Sequence, residues 1–169
     1  ESDEGEIDGL KVLEAVKDNG DIVYVLDGNL KVGDEVEVKI EWEKRYKIMK
    51  LHSAAHIVYQ VFINMLGKYR LIGSHVGEQK ARIDFEIERN VSEFLPKIES
   101  EVNEIISKDL EIKTYPDPKN PEKRWWEIEG FSKMPCGGTH VKRTGEIGKI
   151  RLKRKNLGSG KERIEIFLI

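Results

Sequence analysis

Two pairs of residues in this sequence carry side chains that bind metal ions. His52 and His56 lie four residues apart in the segment KLHSAAHIV, and Cys136 and His140 lie four apart in MPCGGTHV. Cys136 is the only cysteine, and the two pairs use three of the four histidines. Thiolate sulfur and imidazole nitrogen are preferred ligands of zinc, and four of them complete a tetrahedral shell. The sequence therefore predicts a zinc site, provided that the two pairs meet in the folded chain.

The histidine pair lies on a predicted helix. Apolar residues recur at steps of three and four from Ile48 to Met65, which is typical of one buried helix stripe, and Gly67 indicates its end. Residues four apart on a helix project from the same side, so both imidazoles would face one place. The pair is not the zincin motif, because Ser53 stands where that motif has its general-base glutamate. Taken alone, it fits two incidental helix histidines equally well.

The second pair lies on a predicted loop. Pro135, Gly137 and Gly138 surround Cys136, and the glycines permit a tight backbone path that returns His140 towards the cysteine. The alternative is that Cys136 is a small buried apolar side chain. The concentration of ligand-type residues in two pairs favours zinc over that alternative.

The elements that must position these pairs are predicted from hydrophobic periodicity and turn residues. A second helix is predicted from about residue 90 or 92, with a buried side formed by Ile98, Val102, Ile105 and Ile106. Segments 117–123 and 131–140 are predicted loops. Strands are predicted at residues 10–16, 21–27, 34–42, 79–88, 110–116, 124–130, 146–156 and 161–169. This order predicts an α+β fold with helices packed on a mainly antiparallel sheet, preceded by a small β-barrel-like subdomain.

Composition and charge indicate the number of domains, the cellular location and the kind of partner. A length of 169 residues suggests one domain with a smaller subdomain, and no stretch approaches the roughly 20 apolar residues that cross a membrane. A single cysteine excludes an internal disulfide framework and favours a reducing, cytoplasmic location. Residues 1–30 carry nine acidic and two basic side chains, a net of −7, whereas residues 142–163 carry nine basic and two acidic ones, a net of +7. The basic segment fits a phosphate-binding surface and a solvated edge strand equally well.

Six motifs carry a resemblance to a known family. They are the HxxxH helix, GSHVGE, RIDF, CGGTHV, RTGEIG and RIEIF, and the fourth and fifth are the most specific. Residues 42–169 resemble the editing domain of alanyl-tRNA synthetases, and most of all the free-standing alanyl-tRNA editing proteins called AlaX. Residues 1–41 resemble the last strands of the β-barrel subdomain that precedes this domain in medium-length members. The chain starts without methionine and without the glycine-rich loop of those members, so we expect the natural chain to begin earlier.

The resemblance implies a cofactor and a reaction. It makes His52, His56, Cys136 and His140 the ligands of one Zn²⁺ per chain. It also implies hydrolysis of the ester that joins serine, or glycine, to mischarged tRNA(Ala), because a synthetase pocket built for alanine discriminates weakly against one hydroxyl or one missing methyl. The domains would then be a β-subdomain at 1–41 and a zinc-containing editing domain at 42–169.

Two further residues are candidates for contacts with the substrate. Ser74 could hydrogen-bond the hydroxyl of a misplaced serine, and Glu78 could position water or hold the α-ammonium group. A turn-capping serine and a surface carboxylate are equally good interpretations. The sequence departs from the synthetase pattern here, because Glu78 stands where glutamine is usual and Ala55 where threonine is common.

The expected partner is the acceptor end of mischarged tRNA(Ala). Its phosphates would lie on a basic strand formed by Lys149, Arg151, Lys153, Arg154 and Lys155. A non-catalytic tRNA-binding module with structural zinc is the main alternative, and a detached synthetase fragment is a weaker one. The sequence contains no nucleotide-binding phosphate loop, so aminoacylation by this chain is not expected.

Overall fold

The computed structural model describes residues 3–19 and 21–169. These residues form two compact units, which divide between Tyr46 and Lys47. The helices are α1 (Trp42–Leu66) and α2 (Leu95–Ser107), and a short 3₁₀ turn spans Thr144–Ile147. The strands are β1 (Gly5–Ile7), β2 (Leu10–Asp18), β3 (Asp21–Leu26), β4 (Val38–Ile40), β5 (Arg70–Val76), β6 (Ala81–Glu86), β7 (Lys113–Asp117), β8 (Asn120–Ile128), β9 (Ser132–Pro135), β10 (Ile150–Gly158) and β11 (Lys161–Leu168). The predicted α+β class is confirmed.

The N-terminal unit contains an open antiparallel sheet with the strand order β3-β2-β1-β4. Within its described residues the strands do not close into a barrel, so the barrel-like description is corrected to an open four-stranded sheet. β1 was not predicted, and β4 is shorter than the predicted strand at 34–42. The residues before β4 are not part of the strand, and there the Glu37 backbone N–H donates to the Asp8 carboxylate at 2.8 Å.

The second unit is built on an antiparallel sheet with the order β10-β11-β6-β5. One face of this sheet is apolar and buried, and the side chains alternate along each strand as the pleat requires. The Phe62 ring of α1 stacks on the Phe85 ring of β6 with centroids 4.0 Å apart. The core of this face includes Ala81, Ile83, Phe85, Ile150, Leu152, Ile164 and Ile166.

The helix predictions are confirmed in existence and corrected in detail. α1 ends where Gly67 adopts a φ of +95°, which glycine accepts without a Cβ penalty. α2 starts at Leu95, later than predicted, because the Asn90 carboxamide accepts the Ser92 backbone N–H at 2.8 Å and forms a turn there. Neither helix in the described part of the chain has the length and apolarity that a membrane crossing requires.

A three-stranded antiparallel sheet with the order β7-β8-β9 leads into the second ligand pair. Both predicted loops here are partly wrong, because β8 begins at Asn120 and β9 occupies 132–135. The pairing of β7 with β8 has a register shift next to Pro121. Asn120 pairs with Asp117, and the next pair joins Arg124 to Pro116. Proline has no N–H to donate, so it is tolerated where the ladder is interrupted.

Two more segments differ from the prediction. The strand predicted from residue 146 begins only at Ile150, because Thr144–Ile147 forms a 3₁₀ turn and Gly148 adopts a φ of +74°. β5 was not predicted, since RLIGSHV shows no clear alternation and contains a glycine. A register shift between Leu71 and Gly73 breaks its pattern.

Candidate metal centre

The four predicted ligands converge on one place. α1 supplies His52 and His56, and the segment after β9 supplies Cys136 and His140. One ligand atom from each residue lies within 4.8 Å of the others. His140 is 8% exposed, and the other three are half-buried. The group can therefore hold a metal ion that solvent partly reaches.

Three of the six distances within the group are close to the edges of a tetrahedron around a metal, and the widest separation is within 4.8 Å. His56 Nε2 and His140 Nε2 are 3.1 Å apart, and Cys136 Sγ lies 3.5 Å from both His52 Nε2 and His140 Nε2. Metal–nitrogen bonds of about 2.05 Å and metal–sulfur bonds of about 2.3 Å give edges of about 3.3 Å and 3.6 Å. The donor set and these three distances fit a four-coordinate metal ion.

The loop that carries Cys136 and His140 is fixed at its start and against the helix. The Cys136 N–H donates to the Arg124 carbonyl at 2.9 Å, which extends the pairing of β8 with β9 by one residue. Gly138 lies against the His52 ring so closely that a Cβ would stand 2.3 Å from its Cε1 atom. Gly137 has nothing within 4 Å of such a Cβ. Gly138 is therefore required for close approach, which is a more specific reason than the flexible path expected from sequence.

The outer nitrogens of two imidazoles have partners that direct their Nε2 atoms to the centre. His52 Nδ1 donates to the Thr139 carbonyl at 3.2 Å, and His56 Nδ1 lies 2.8 Å from the Met134 sulfur. Ligating histidines commonly donate their second N–H in this way, which fixes the tautomer and the ring. The buried Nδ1 of His140 forms no hydrogen bond of good geometry within residues 3–19 and 21–169, and only the Gly138 backbone of its own loop acts on this imidazole to raise its pKa.

Burial keeps these imidazoles neutral. Desolvation lowers the pKa of His56 to about 3 and that of His140 to about 2, and the neighbouring histidines act in the same direction. Desolvation also lowers the pKa of His52, and it raises the pKa of the Cys136 thiol. Neutral imidazoles have the free lone pairs that a cation needs, and a bound cation favours the thiolate.

The two substrate-contact candidates lie outside this ligand group. Ser74 is exposed on the edge strand β5, and Glu78 follows it in the turn before β6. Glu78 accepts a hydrogen bond from Lys47 Nζ at 3.1 Å. Lys47 precedes His52 by five residues on α1, a rise of roughly 7.5 Å along the helix. This ion pair therefore joins the turn that contains Glu78 to the helix of the ligand group.

The basic residues of the predicted strand do not all share one face. Side chains alternate along β10, so Arg151, Lys153 and Lys155 are exposed while Leu152 is buried. Arg154 points to the opposite face, where its Nε donates to Glu162 at 2.7 Å. Lys149 is exposed just before the strand begins. Four of the five predicted basic residues, Lys149, Arg151, Lys153 and Lys155, are therefore exposed.

The RTGEIG motif, which follows the loop of Cys136 and His140, is hydrogen-bonded to the residues just after α2. The Leu110 N–H donates to the Thr144 hydroxyl at 2.9 Å, and the Arg143 guanidinium donates to the Asp109 carboxylate at 2.6 Å. A Cβ on Gly145 would lie 2.5 Å from Asp109 Oδ1, so glycine is needed there. From sequence, this motif indicated only a family resemblance. Its partner Asp109 was not predicted, because it lies 34 residues away in the chain.

The matched family model describes the segment that contains the second ligand pair. Residues 124–165 match the threonyl and alanyl tRNA synthetase second additional domain. This places the C-terminal part of the chain in a class of domain that accompanies tRNA synthetases.

Proteins that are similar over nearly the whole chain define its family more closely. The chain is 38% identical over 172 residues to the alanyl-tRNA editing protein AlaX-M of Pyrococcus horikoshii, which covers 98% of this chain and 78% of that protein. It is 35% identical over 169 residues to AlaX-M of Saccharolobus solfataricus, with coverages of 87% and 70%. The alanine–tRNA ligase of Methanococcus maripaludis is 32% identical over 186 residues, but these are only 21% of that enzyme. The chain belongs to the AlaX family of alanyl-tRNA editing proteins.

Proposed function

We propose that this chain is a zinc-dependent deacylase of mischarged tRNA(Ala). It would remove serine from the 3′ end, with glycine as a second candidate substrate. The convergence of His52, His56, Cys136 and His140 in a chain of this family is the observation that carries the proposal. The relatives' name, alanyl-tRNA editing protein, supplies the class of substrate.

Zinc is the metal that these donors favour. Three imidazole nitrogens with one thiolate are typical zinc ligands, whereas calcium and magnesium prefer oxygen. When bound, zinc would supply a Lewis acid that polarises the ester or lowers the pKa of water.

His140→Ala should reduce the zinc content well below about one per chain. His75→Ala is the matched control, because His75 is exposed on β5 and lies outside the ligand group. Equal zinc content in both variants would reject His140 as a ligand.

The chain's own residues would select and orient the substrate. The Ser74 hydroxyl, which is exposed in the free chain, would be covered by the bound tRNA and hydrogen-bond the hydroxyl of a seryl group. An alanyl group would then leave the covered Ser74 hydroxyl unpaired at a cost of about 1–3 kcal/mol. Glu78 would hold the α-ammonium group or an attacking water. The ion pair of Glu78 with Lys47 supports this role, because it holds the carboxylate beside α1, the helix that carries His52 and His56.

The tRNA acceptor stem would lie on the exposed face of β10. Lys149, Arg151, Lys153 and Lys155 would bind its phosphates, while Arg154 would stabilise the strand through Glu162. Residues 42–169 would form the editing domain, and residues 1–41 would form the preceding β-subdomain. The reaction would take place in the cytoplasm, where aminoacyl-tRNA is used.

A non-catalytic tRNA-binding module is the second candidate. Four protein ligands close a tetrahedral shell, and closed shells are typical of structural zinc. Binding and hydrolysis of seryl-tRNA(Ala) should be measured on the same zinc-loaded sample. Release of serine well above the rate in buffer supports the deacylase, whereas tight binding without release would establish the binding module.

A further inference from the structure

Ser53 connects the helix of the metal centre to its loop. The side chain is 0% exposed and stands between the two ligands that α1 supplies. Its hydroxyl donates to the Met49 carbonyl at 2.9 Å, as helix serines often do, and accepts the Val141 N–H at 3.2 Å. Val141 lies 88 residues away in sequence and directly follows His140. The contact therefore ties the backbone beside the fourth ligand to the helix that carries the first two.

His140 depends on such a backbone contact more than the other histidines do. His52 and His56 have partners at Nδ1 that orient their rings, namely the Thr139 carbonyl and the Met134 sulfur. The buried Nδ1 of His140 forms no hydrogen bond of good geometry in the described residues, and the backbone that acts on its ring, Gly138, belongs to the same loop. The position of the ring therefore depends on the path of its own loop, and the backbone N–H directly after it that is hydrogen-bonded to α1 is that of Val141.

We infer that Ser53 is a positioning residue of the metal centre, which places His140 through the Val141 backbone. The inference rests on the proposed zinc site and assigns no contact between Ser53 and substrate. In Ser53→Ala the Val141 N–H would stay buried and lose its acceptor. The loop would then relax, and His140 would spend less time in the ligating geometry.

Zinc affinity of the purified chain tests the inference without any activity measurement. The dissociation constant is obtained by competition with a chromophoric chelator. Ser53→Ala should weaken zinc binding about 10- to 100-fold, the usual effect of losing an outer contact that orients a ligand. Ser53→Thr keeps the hydroxyl and should remain within about threefold of the parent.

A control variant separates positioning from general loss of stability. Val61 is also fully buried on α1, and it lies beyond the ligand pair. Val61→Ala should lower the melting temperature and leave zinc affinity within about threefold of the parent. A similar loss of affinity in Ser53→Ala and Val61→Ala would overturn the inference, as would unchanged affinity in Ser53→Ala.

Amide hydrogen exchange of the metal-free chain gives a second measurement. The Val141 amide should be protected in the parent and exchange at least tenfold faster in Ser53→Ala, while amides in the middle of α2 are unchanged. Unchanged protection of Val141 would overturn the inference even if zinc binding were altered. A parent chain that binds no zinc would instead overturn the proposed metal centre, and the inference with it.

Discussion

His56 Nε2 and His140 Nε2 lie 3.1 Å apart, although 84 residues separate the two histidines in the chain. Two neutral imidazoles that meet through Nε2 form a hydrogen bond only if one of them carries its proton on that atom, and otherwise their lone pairs repel. A cation between them uses both lone pairs. The fold of α1 and the loop after β9 therefore creates a place that can hold a metal ion.

Gly138→Ala should damage this place, and Gly137→Ala should not. The added methyl at 138 would stand 2.3 Å from the His52 ring, whereas the same methyl at 137 would meet nothing within 4 Å. We expect Gly138→Ala to lower zinc affinity at least tenfold, because either His52 or the loop must shift. Gly137→Ala should bind zinc within about threefold of the parent. Equal affinities in the two variants, measured by chelator competition, would contradict the observed packing.

Stability of the metal-free chain should fall as the pH drops below about 6.5. In the folded chain the pKa of His56 is about 3 and that of His140 about 2, whereas the ordinary value is 6.5. The unfolded chain therefore binds more protons between these values, so acid favours unfolding. Well below pH 6.5, the two histidines together should remove up to about 2.7 kcal/mol per pH unit.

Urea unfolding between pH 7.5 and pH 5 measures this effect. His56→Ala should show a shallower dependence than the parent, because one of the depressed pKa values is removed. His75→Ala should follow the parent, since His75 is exposed and outside the cluster. A parent whose free energy of unfolding does not change over this range would show that the buried histidines are already free to protonate.

Charge reversal on β10 should weaken tRNA binding. Arg151→Glu with Lys153→Glu changes the charge of the exposed face by −4, and each lost phosphate contact reduces the salt dependence. The matched control is Lys97→Glu with Lys119→Glu, which makes the same change at exposed positions away from β10. We expect at least a tenfold loss of affinity for the first variant and less than threefold for the control. Equal losses would mean that net charge, rather than this strand, determines binding.

Ser74→Ala should affect one substrate more than another. Loss of a hydrogen bond to the seryl hydroxyl should slow release of serine about ten- to hundredfold, while release of glycine changes little. Initial rates on seryl- and glycyl-tRNA(Ala), with zinc content measured in parallel, give the comparison. An equal decrease on both esters would show that Ser74 supports the pocket without contacting the amino-acid side chain.

The sequence predicted the elements whose pattern is local. The apolar steps from Ile48 to Phe62 follow the period of a helix, and α1 forms there. The turn made by Asn90 could not be distinguished from a helix start, because asparagine favours both positions. β5 was missed because it is an edge strand with exposed Leu71 and Ile72, so burial did not impose an alternating pattern.

The grouping of the four metal-ligating side chains could be predicted from the sequence, but the residues that hold them in place could not. Cysteine and histidine are rare in this chain, so their pairing at four-residue spacing was visible without a structure. The partners Ser53, Thr139 and Met134 are ordinary residue types, and their roles depend on contacts across 78 to 88 residues. Such contacts leave no periodic pattern in a single sequence.

The most direct test of the proposed zinc-dependent deacylase function is hydrolysis of seryl-tRNA(Ala) and alanyl-tRNA(Ala) by the same zinc-loaded sample. Initial rates at equal substrate concentration should favour the seryl ester by at least about tenfold, and removal of zinc by a chelator should abolish the difference. Addition of zinc should then restore it. Rapid release of alanine from the correctly charged tRNA, or full activity after the metal has been removed, would contradict the account.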